Sequence, residues 1–493
     1  MTLGAMTLGT MTLGTDVNWL AFSPALMLLL SASVTIFVAL FQKESRVTAL
    51  LSLGGVALAA LLNAHLFSLE TSVSSFGGRY LADVPALGFN FVILTGLTLA
   101  ILISYDYLER TGLDQPEYYP LLLLSTCGAM VMVAAGDLIT LVLGLEIMSL
   151  AVYVLSAWRQ GARESEEAGM KYFLLGAFAS AFLIYGIAMM YGAAGSFVYS
   201  DISTALLAED FGRGVYAVLG GLFILSGLGF KVALAPFHQW APDVYTGAPT
   251  AVTAFMSVVV KTAAFGALLR VFAGFYSDMP PVITQTLAVL IVLTLVIGNL
   301  SALFQTSFKR MLAYSAVGHA GYLGLAVLAA GTVGMQAAVW YLTAYTLMNA
   351  GAFAVLTMLT DKNDRGDTLE RFSGLGRTRP GLAAALSIFM LSLAGIPLFA
   401  GFIGKMLVFQ AALSAGYASL AVVGILTSVI AVVYYMRPVA YMYFREPEYQ
   451  QSEHKSEVTS WAIGIAAGLT VFLGLFPGWW YGLLEAGRLV AGS

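Results

Sequence analysis

Six ionisable side chains, Glu146, Lys171, Lys231, Lys261, His319 and Lys405, sit in or beside stretches that are otherwise apolar. A seventh, His238, follows Lys231 within GLGFKVALAPFHQWAPD, residues 227–243. Removing a lysine from water favours its neutral amine, and a nearby carboxylate favours the ammonium. An anionic Glu146 beside Lys231 would hold that lysine charged, and withdrawing the carboxylate would release its proton. Several such groups at one depth could pass a proton sideways through trapped water. The chemistry expected is proton transfer.

The elements that must position these residues follow from composition. Hydrophobic residues make up 59% of the 493-residue chain and charged residues 10%, against about a quarter charged in soluble domains. The chain therefore reads as an all-α integral membrane protein. Its net charge of -4 is spread over loops and gives no patch for nucleic acid. The single cysteine, Cys127, excludes an internal disulfide and a multi-thiolate cluster. Dinucleotide, phosphate-loop and haem signatures are missing, so no cofactor is expected in this chain. The opening MTLGA-MTLGT-MTLGT has no positive charge before Lys43. It reads as an expanded start region, not as a signal peptide.

About 20 apolar residues cross a bilayer as a helix. On that ruler about fourteen spans are expected, near 22–41, 47–67, 86–108, 118–135, 138–157, 170–192, 215–239, 250–273, 282–303, 311–330, 336–359, 381–413, 418–443 and 458–481. Loops after odd-numbered spans carry fourteen Lys and Arg, those after even-numbered spans only Arg79, Arg213 and Arg488. The bias places the odd loops in the cytoplasm and both termini outside. Residues 1–21 form an extramembrane segment and 22–115 three leading spans. Two five-span sets follow, 116–273 and 274–443, and 444–493 holds the last span. Spans 7 and 12, each fourth in its set, carry Pro236 and the Gly395–Pro397–Gly401–Gly404 series and read as broken helices. Five spans per set would make the second an inverted repeat of the first.

At 1.5 Å per residue, Glu146, Lys231, Lys261, His319 and Lys405 fall roughly 12–17 Å deep, near the bilayer centre. Blander readings stand beside these. Lys171, and Lys309 with Arg310, could snorkel to the interface. His319 could be a neutral histidine bonded between helices, and His238 an interfacial residue. Glu146 could neutralise a lysine as a fixed ion pair. Tyr118, Tyr119, Trp479 and Trp480 read as interfacial anchors, and the polar stretch 361–380 as a loop.

The runs GLEIMSLAVYVLSAW (144–158), FKVALAPFHQWAPDVYTGAPTAVTAFMSVVVKTAAF (230–265), GNLSALFQTSFKRMLAYSAVGHAGYL (298–323) and GIPLFAGFIGKMLVF (395–409) resemble the antiporter-like membrane subunits of respiratory complex I. That resemblance implies a proton path through Glu146, Lys231, Lys261 and Lys405, with Lys171 as a further member. It implies translocation driven by quinone reduction elsewhere, with FMN, iron–sulfur clusters and quinone on other subunits. The expected partners are other membrane subunits, the lipid bilayer, protons and water. Ala233 departs from the serine of many relatives. Two rivals remain: a subunit of a multi-subunit cation/proton antiporter, and a structural subunit whose buried charges are static pairs.

Overall fold

The computed structural model describes residues 17–41, 44–69, 72–207, 211–276, 280–447, 456–479 and 482. The MTLG repeat through residue 16, Lys43, His454, Lys455, Trp480, Arg488 and the Arg213 side chain lie outside the described part. The chain runs α1 (Trp19–Ala39), α2 (Ser45–Ser68), a hairpin of β1 (Val73–Ser75) and β2 (Tyr80–Ala82), α3 (Val84–Arg110), α4 (Tyr118–Val133), α5 (Leu138–Ser156), α6 (Arg163–Ala194), α7 (Tyr199–Leu207), α8 (Phe211–Val232) and α9 (Trp240–Gly247). It continues with α10 (Thr250–Phe255), a π turn (Met256–Val260), α11 (Lys261–Gly274), α12 (Pro281–Leu303), α13 (Phe308–Leu328) and α14 (Thr332–Thr357). Last come α15 (Leu375–Thr378), α16 (Pro380–Ala394), α17 (Ala400–Ser414), α18 (Ala418–Phe444) and α19 (Glu457–Leu475). Among the described residues twelve helices are long and apolar enough to cross a membrane, and α4, α16 and α17 are shorter apolar helices.

Local chemistry sets the helix limits. The carboxylates of Asp83 and Asp137 accept from the backbone N–H groups of Ala86 and Thr140 at 3.0 and 2.6 Å, and Ser307 accepts from Arg310 N at 3.1 Å. Each satisfies a donor that the first turn leaves orphaned. An apolar helix gives no periodic signal for its buried face, and burial divides the spans sharply. The apolar stretch of α10–α11 is 100% buried and those of α13 and α14 are 94% buried, whereas α6 buries 28% and α18 33%. The first three form the centre, and α6 and α18 face outward.

Both expected breaks are present. Residues 233–239 separate α8 from α9, and 395–399 separate α16 from α17. Neighbouring side chains satisfy the freed backbone, as an apolar solvent requires. Ala235 N donates to Thr294 Oγ1 at 2.8 Å, and Gly401 N donates to Ser392 Oγ at 3.0 Å. Each break also holds a non-glycine residue in the left-handed region, Ala233 (φ 61°) and Leu398 (φ 81°). The first two helices of each set cross at glycines. A Cβ on Gly128 of α4 would lie 2.7 Å from Gly144 O of α5, and one on Gly298 of α12 would lie 2.4 Å from Gly318 N of α13.

The loops sort to two ends. At one end the hairpin meets the α4–α5 turn through Leu81 N to Ala134 O at 2.7 Å, and Arg270 reaches Asp83 at 2.6 and 2.9 Å. At the other end residues 159–165, 246–247, 309 and 363–367 surround one polar cavity of about 450 Å³. These are loops after odd-numbered spans, and they lie together as their charge bias requires.

Several expectations are corrected. The fold is all-helical as expected, with one short β1–β2 hairpin in the loop after α2 that the sequence reading did not place. The helix of the sixth span begins at Arg163, ahead of the expected apolar limit near 170, so Lys171 is the ninth residue of α6. The stretch 361–380 contains a 3-10 turn (Leu369–Phe372) and α15. Tyr118 and Tyr119 are fully buried against α3 and each other, not interfacial, while Trp479 is 59% exposed. The π turn in the eighth span had no sequence signal: MSVVV is ordinary helix composition.

Candidate functional site

A stripe on α5 begins the site. Glu146, Ser149 and Tyr153 are spaced three and four apart, which puts them on one helical face. Glu146 accepts from Ser180 Oγ of α6 at 2.6 Å. The Lys231 amine, at the end of α8 and buried, donates to Ser149 Oγ at 2.8 Å and Tyr153 OH at 3.1 Å. It lies 5.0 and 5.2 Å from the ring centroids of Tyr153 and Tyr172. The expected Glu146–Lys231 ion pair is not formed; the Lys231 amine of α8 binds Ser149, three residues along α5 from Glu146.

The second half of the site lies around α13. The Lys261 amine follows the π turn, donates to the Ala316 carbonyl and lies 5.0 Å from the Tyr345 ring. One turn beyond Ala316, His319 shares hydrogen bonds with Tyr341 OH at 2.5 Å and Tyr435 OH at 2.9 Å. Its ring contacts Tyr345 and Tyr322 at 4.9 and 5.8 Å. The Lys405 amine lies 5.1 Å over Tyr322 and donates to Ala394 O at 2.9 Å and Ser428 Oγ at 2.8 Å. Lys261, His319 and Lys405 are thus joined through shared tyrosines. The three lysines and His319 are each at most 5% exposed.

Lys231, Lys261 and Lys405 rest on hydroxyls, carbonyls and aromatic faces, and none of them makes an ion pair. Cation–π contact and neutral acceptors stabilise an ammonium, yet they leave an amine free to lose its proton. Buried polar atoms without protein partners gather nearby: Tyr345 OH, Thr346 Oγ1, both amide atoms of Asn349, and Thr262 Oγ1. Such atoms are ordinarily satisfied, often by internal water.

Two lysines behave differently. Lys171 is 40% exposed and pairs with Glu167 and Asp243, each at 2.8 Å. Asp243 also takes Arg310 at 2.9 Å, so Lys171 belongs to a surface network apart from the three buried lysines. Lys309 does not snorkel: it is buried and pairs with Asp364 at 3.0 Å, with Arg159 at 3.6 Å. Burial would raise the Asp364 carboxyl, but Lys309, the Thr250 hydroxyl and Arg159 hold it below the usual carboxylate range. His238 lies in the first break, partly buried, with Nδ1 unpartnered, and does not join the other site residues. Sequence reading missed Asp364, Asn349 and the tyrosines. The 3–4 spacing of Ser149 and Tyr153 from Glu146 was available as a signal, but nothing marks a loop aspartate as buried. Among the described residues no group of three or more His, Cys, Asp or Glu could hold a metal ion.

Known proteins were compared with the chain. Residues 135–431 match the family model described as NADH:quinone oxidoreductase/Mrp antiporter, transmembrane. NADH-quinone oxidoreductase subunit N of Deinococcus radiodurans is 42% identical over 489 residues, 97% of this chain and 99% of that protein. A chain of respiratory complex I from Thermus thermophilus, solved with bound aureothin, superposes with a TM-score of 0.80 at 36% identity, covering 92% of this chain and 97% of that one. A chain of the Mrp complex from Dietzia shares the fold, with a TM-score of 0.82 at 20% identity over 96% and 97% of the two chains. The chain belongs to the NADH:quinone oxidoreductase/Mrp antiporter membrane family, and within it to the members named NADH-quinone oxidoreductase subunit N.

Proposed function

We propose that this chain translocates protons in the membrane arm of a bacterial NADH–quinone oxidoreductase, driven by quinone reduction on other subunits. The path runs through Glu146, Lys231, Lys261, His319 and Lys405. Glu146 sets the charge of Lys231, Lys261 and His319 relay laterally, and Lys405 serves the far end. Lys171 and Asp243 form a charged pair beside the path, and His238 serves the first break. FMN, iron–sulfur clusters and quinone are placed on partner subunits, in line with the complex I named for the relatives. The higher identity to complex I than to the Mrp chain favours this reading over a cation/proton antiporter.

The observation that carries the proposal is the row of buried lysines without carboxylate partners. A static scaffold would pair such charges, as the chain does at Lys309. Fourteen crossings follow if α8 with α9 and α16 with α17 each count as one broken span, and α4 as a short one. Two inverted five-span sets are supported by the matched breaks and the matched glycine crossings. Positive charges then put the polar cavity on the cytoplasmic face and both termini outside.

The whole complex, reconstituted in liposomes, tests the reading. Lys231→Met and Lys261→Met should each abolish the NADH-driven pH gradient while the complex assembles. Wild-type pumping in both would leave only a structural subunit.

A further inference from the structure

A second cavity, of about 650 Å³, opens on the flank of the bundle between α16 and α19. Pockets of that order hold small organic molecules. Both helices begin at its mouth, α16 at Pro380 and α19 at Glu457. Arg379 and Glu457 end the loops after the eleventh and thirteenth expected spans. The mouth therefore lies where a spanning helix leaves the hydrocarbon, at the level of the lipid headgroups.

The mouth and the depth of the slot differ in chemistry. Two opposite charges, Arg379 and Glu457, stand at the mouth with the Ser460 hydroxyl. Burial at the cavity wall pulls the Arg379 guanidinium below its ordinary range, and an anion at that spot would reverse this. The guanidinium reaches Met358 O at 3.4 Å, and its fork of five donors leaves room for a phosphate as well. No lysine or arginine among the described residues pairs with Glu457. Ser460 Oγ donates to Ser456 O at 2.6 Å, which leaves its lone pairs to accept. Deeper in, the lining is apolar, with Trp461, 73% exposed, as an outer wall. Gly381 and Gly464 keep the slot open, since a Cβ on either would meet nothing within 4 Å.

A cation and an anion above an apolar slot match a molecule that carries a phosphate, an ammonium and a hydrocarbon tail. A purely anionic lipid would satisfy Arg379 but face the Glu457 carboxylate, and basic pockets at helix ends are where headgroups are read. We infer that the slot between α16 and α19 binds a zwitterionic aminophospholipid, with its phosphate on Arg379, its ammonium on Glu457 and Ser460, and one acyl chain along Gly464 beside Trp461. The site shares no residue with the proton path, and the inference needs only that α16 and α19 lie in a membrane.

The test uses the intact complex in liposomes that carry a trace of phosphatidylethanolamine, or in parallel of phosphatidylglycerol, with a diazirine near the head of one acyl chain. After irradiation, peptide mapping of this chain should place the phosphatidylethanolamine label on residues 379–385 and 457–464, severalfold above the phosphatidylglycerol label. Arg379→Gln and Glu457→Gln should each lower that labelling severalfold, and Gly464→Leu should abolish it by filling the slot. Arg377→Gln, which removes an exposed arginine paired with Glu446 outside the slot, should leave it unchanged. Equal labelling by the two lipids, or an equal loss in Arg377→Gln, means an unselective lipid annulus and overturns the inference. Absence of label from both segments of the assembled wild type means that a partner subunit covers this face, and overturns it too. Should Arg379→Gln fail to assemble, Glu457→Gln and Gly464→Leu decide, and unchanged labelling in both ends the inference.

Discussion

Lys309 and Lys405 are buried to the same degree, at 3% and 5% exposure, and the chain treats them in opposite ways. Lys309, at the polar-cavity end of the bundle, has Asp364 at 3.0 Å. Lys405, inside α17, has a carbonyl, a serine hydroxyl and a tyrosine face. A buried ion pair fixes both charges, because neutralising either partner strands the other charge in a poor solvent. A lysine on neutral partners has no such penalty. Pairing builds structure at the end of the bundle, and its avoidance leaves the middle able to titrate.

Variants that exchange the two conditions test this contrast. The largest effect is expected where an uncompensated proton carrier is removed: Lys405→Met should lower pumping by on the order of 10², the usual scale for losing a positioned acid or base, with little change in thermal inactivation. Converting the midplane to the end condition should do nearly as much. Ser428→Asp would give Lys405 a carboxylate and stop turnover while leaving the subunit folded, as seen in a pH-gradient assay with an intact assembly on native gels.

At the end of the bundle the readout reverses. Lys309→Ala leaves Asp364 buried and should destabilise the chain by about 3–5 kcal/mol, measured as earlier heat inactivation of the purified complex. The pH dependence has a definite sign. The Asp364 carboxyl is held below its usual range in the folded chain, so it contributes stability at neutral pH that is lost only as the medium is acidified below the ordinary carboxylate range. The gap in inactivation temperature between wild type and Asp364→Asn should therefore close in strong acid and persist at pH 7. A smaller effect is expected at Ser149. Ser149→Ala removes one of two hydroxyls under Lys231 and should cost about 1 kcal/mol, with Tyr153 retaining the amine. The smallest is Ala233→Gly, which relieves a left-handed alanine in the first break and, after the entropic cost of glycine, should stabilise by about 0.5 kcal/mol.

Much of this arrangement was legible beforehand, for identifiable reasons. Span positions follow from apolar length, and the breaks at Pro236 and Gly395 follow from backbone chemistry that any surroundings must respect. Lys231, Lys261 and Lys405 stood out because a charge in an apolar run has no ordinary explanation. Their partners were not. Tyr341, Tyr345 and Tyr435 look like any other aromatic residue in a membrane helix, and Tyr118, read as an anchor, is buried. Lys309 was read as interfacial because Asp364, 55 residues away, gives no sign in the sequence that it folds inward.

The amino-acid order alone determined that the chain has many helices apolar enough to cross a membrane and where two of them break, because both depend on local composition. Which helix faces lipid, which lysine meets a carboxylate and which a tyrosine, and where unpaired polar atoms collect were decided only by tertiary structure. Those outcomes depend on which faces of separate helices meet, and an apolar helix carries no periodic mark of the face it will bury.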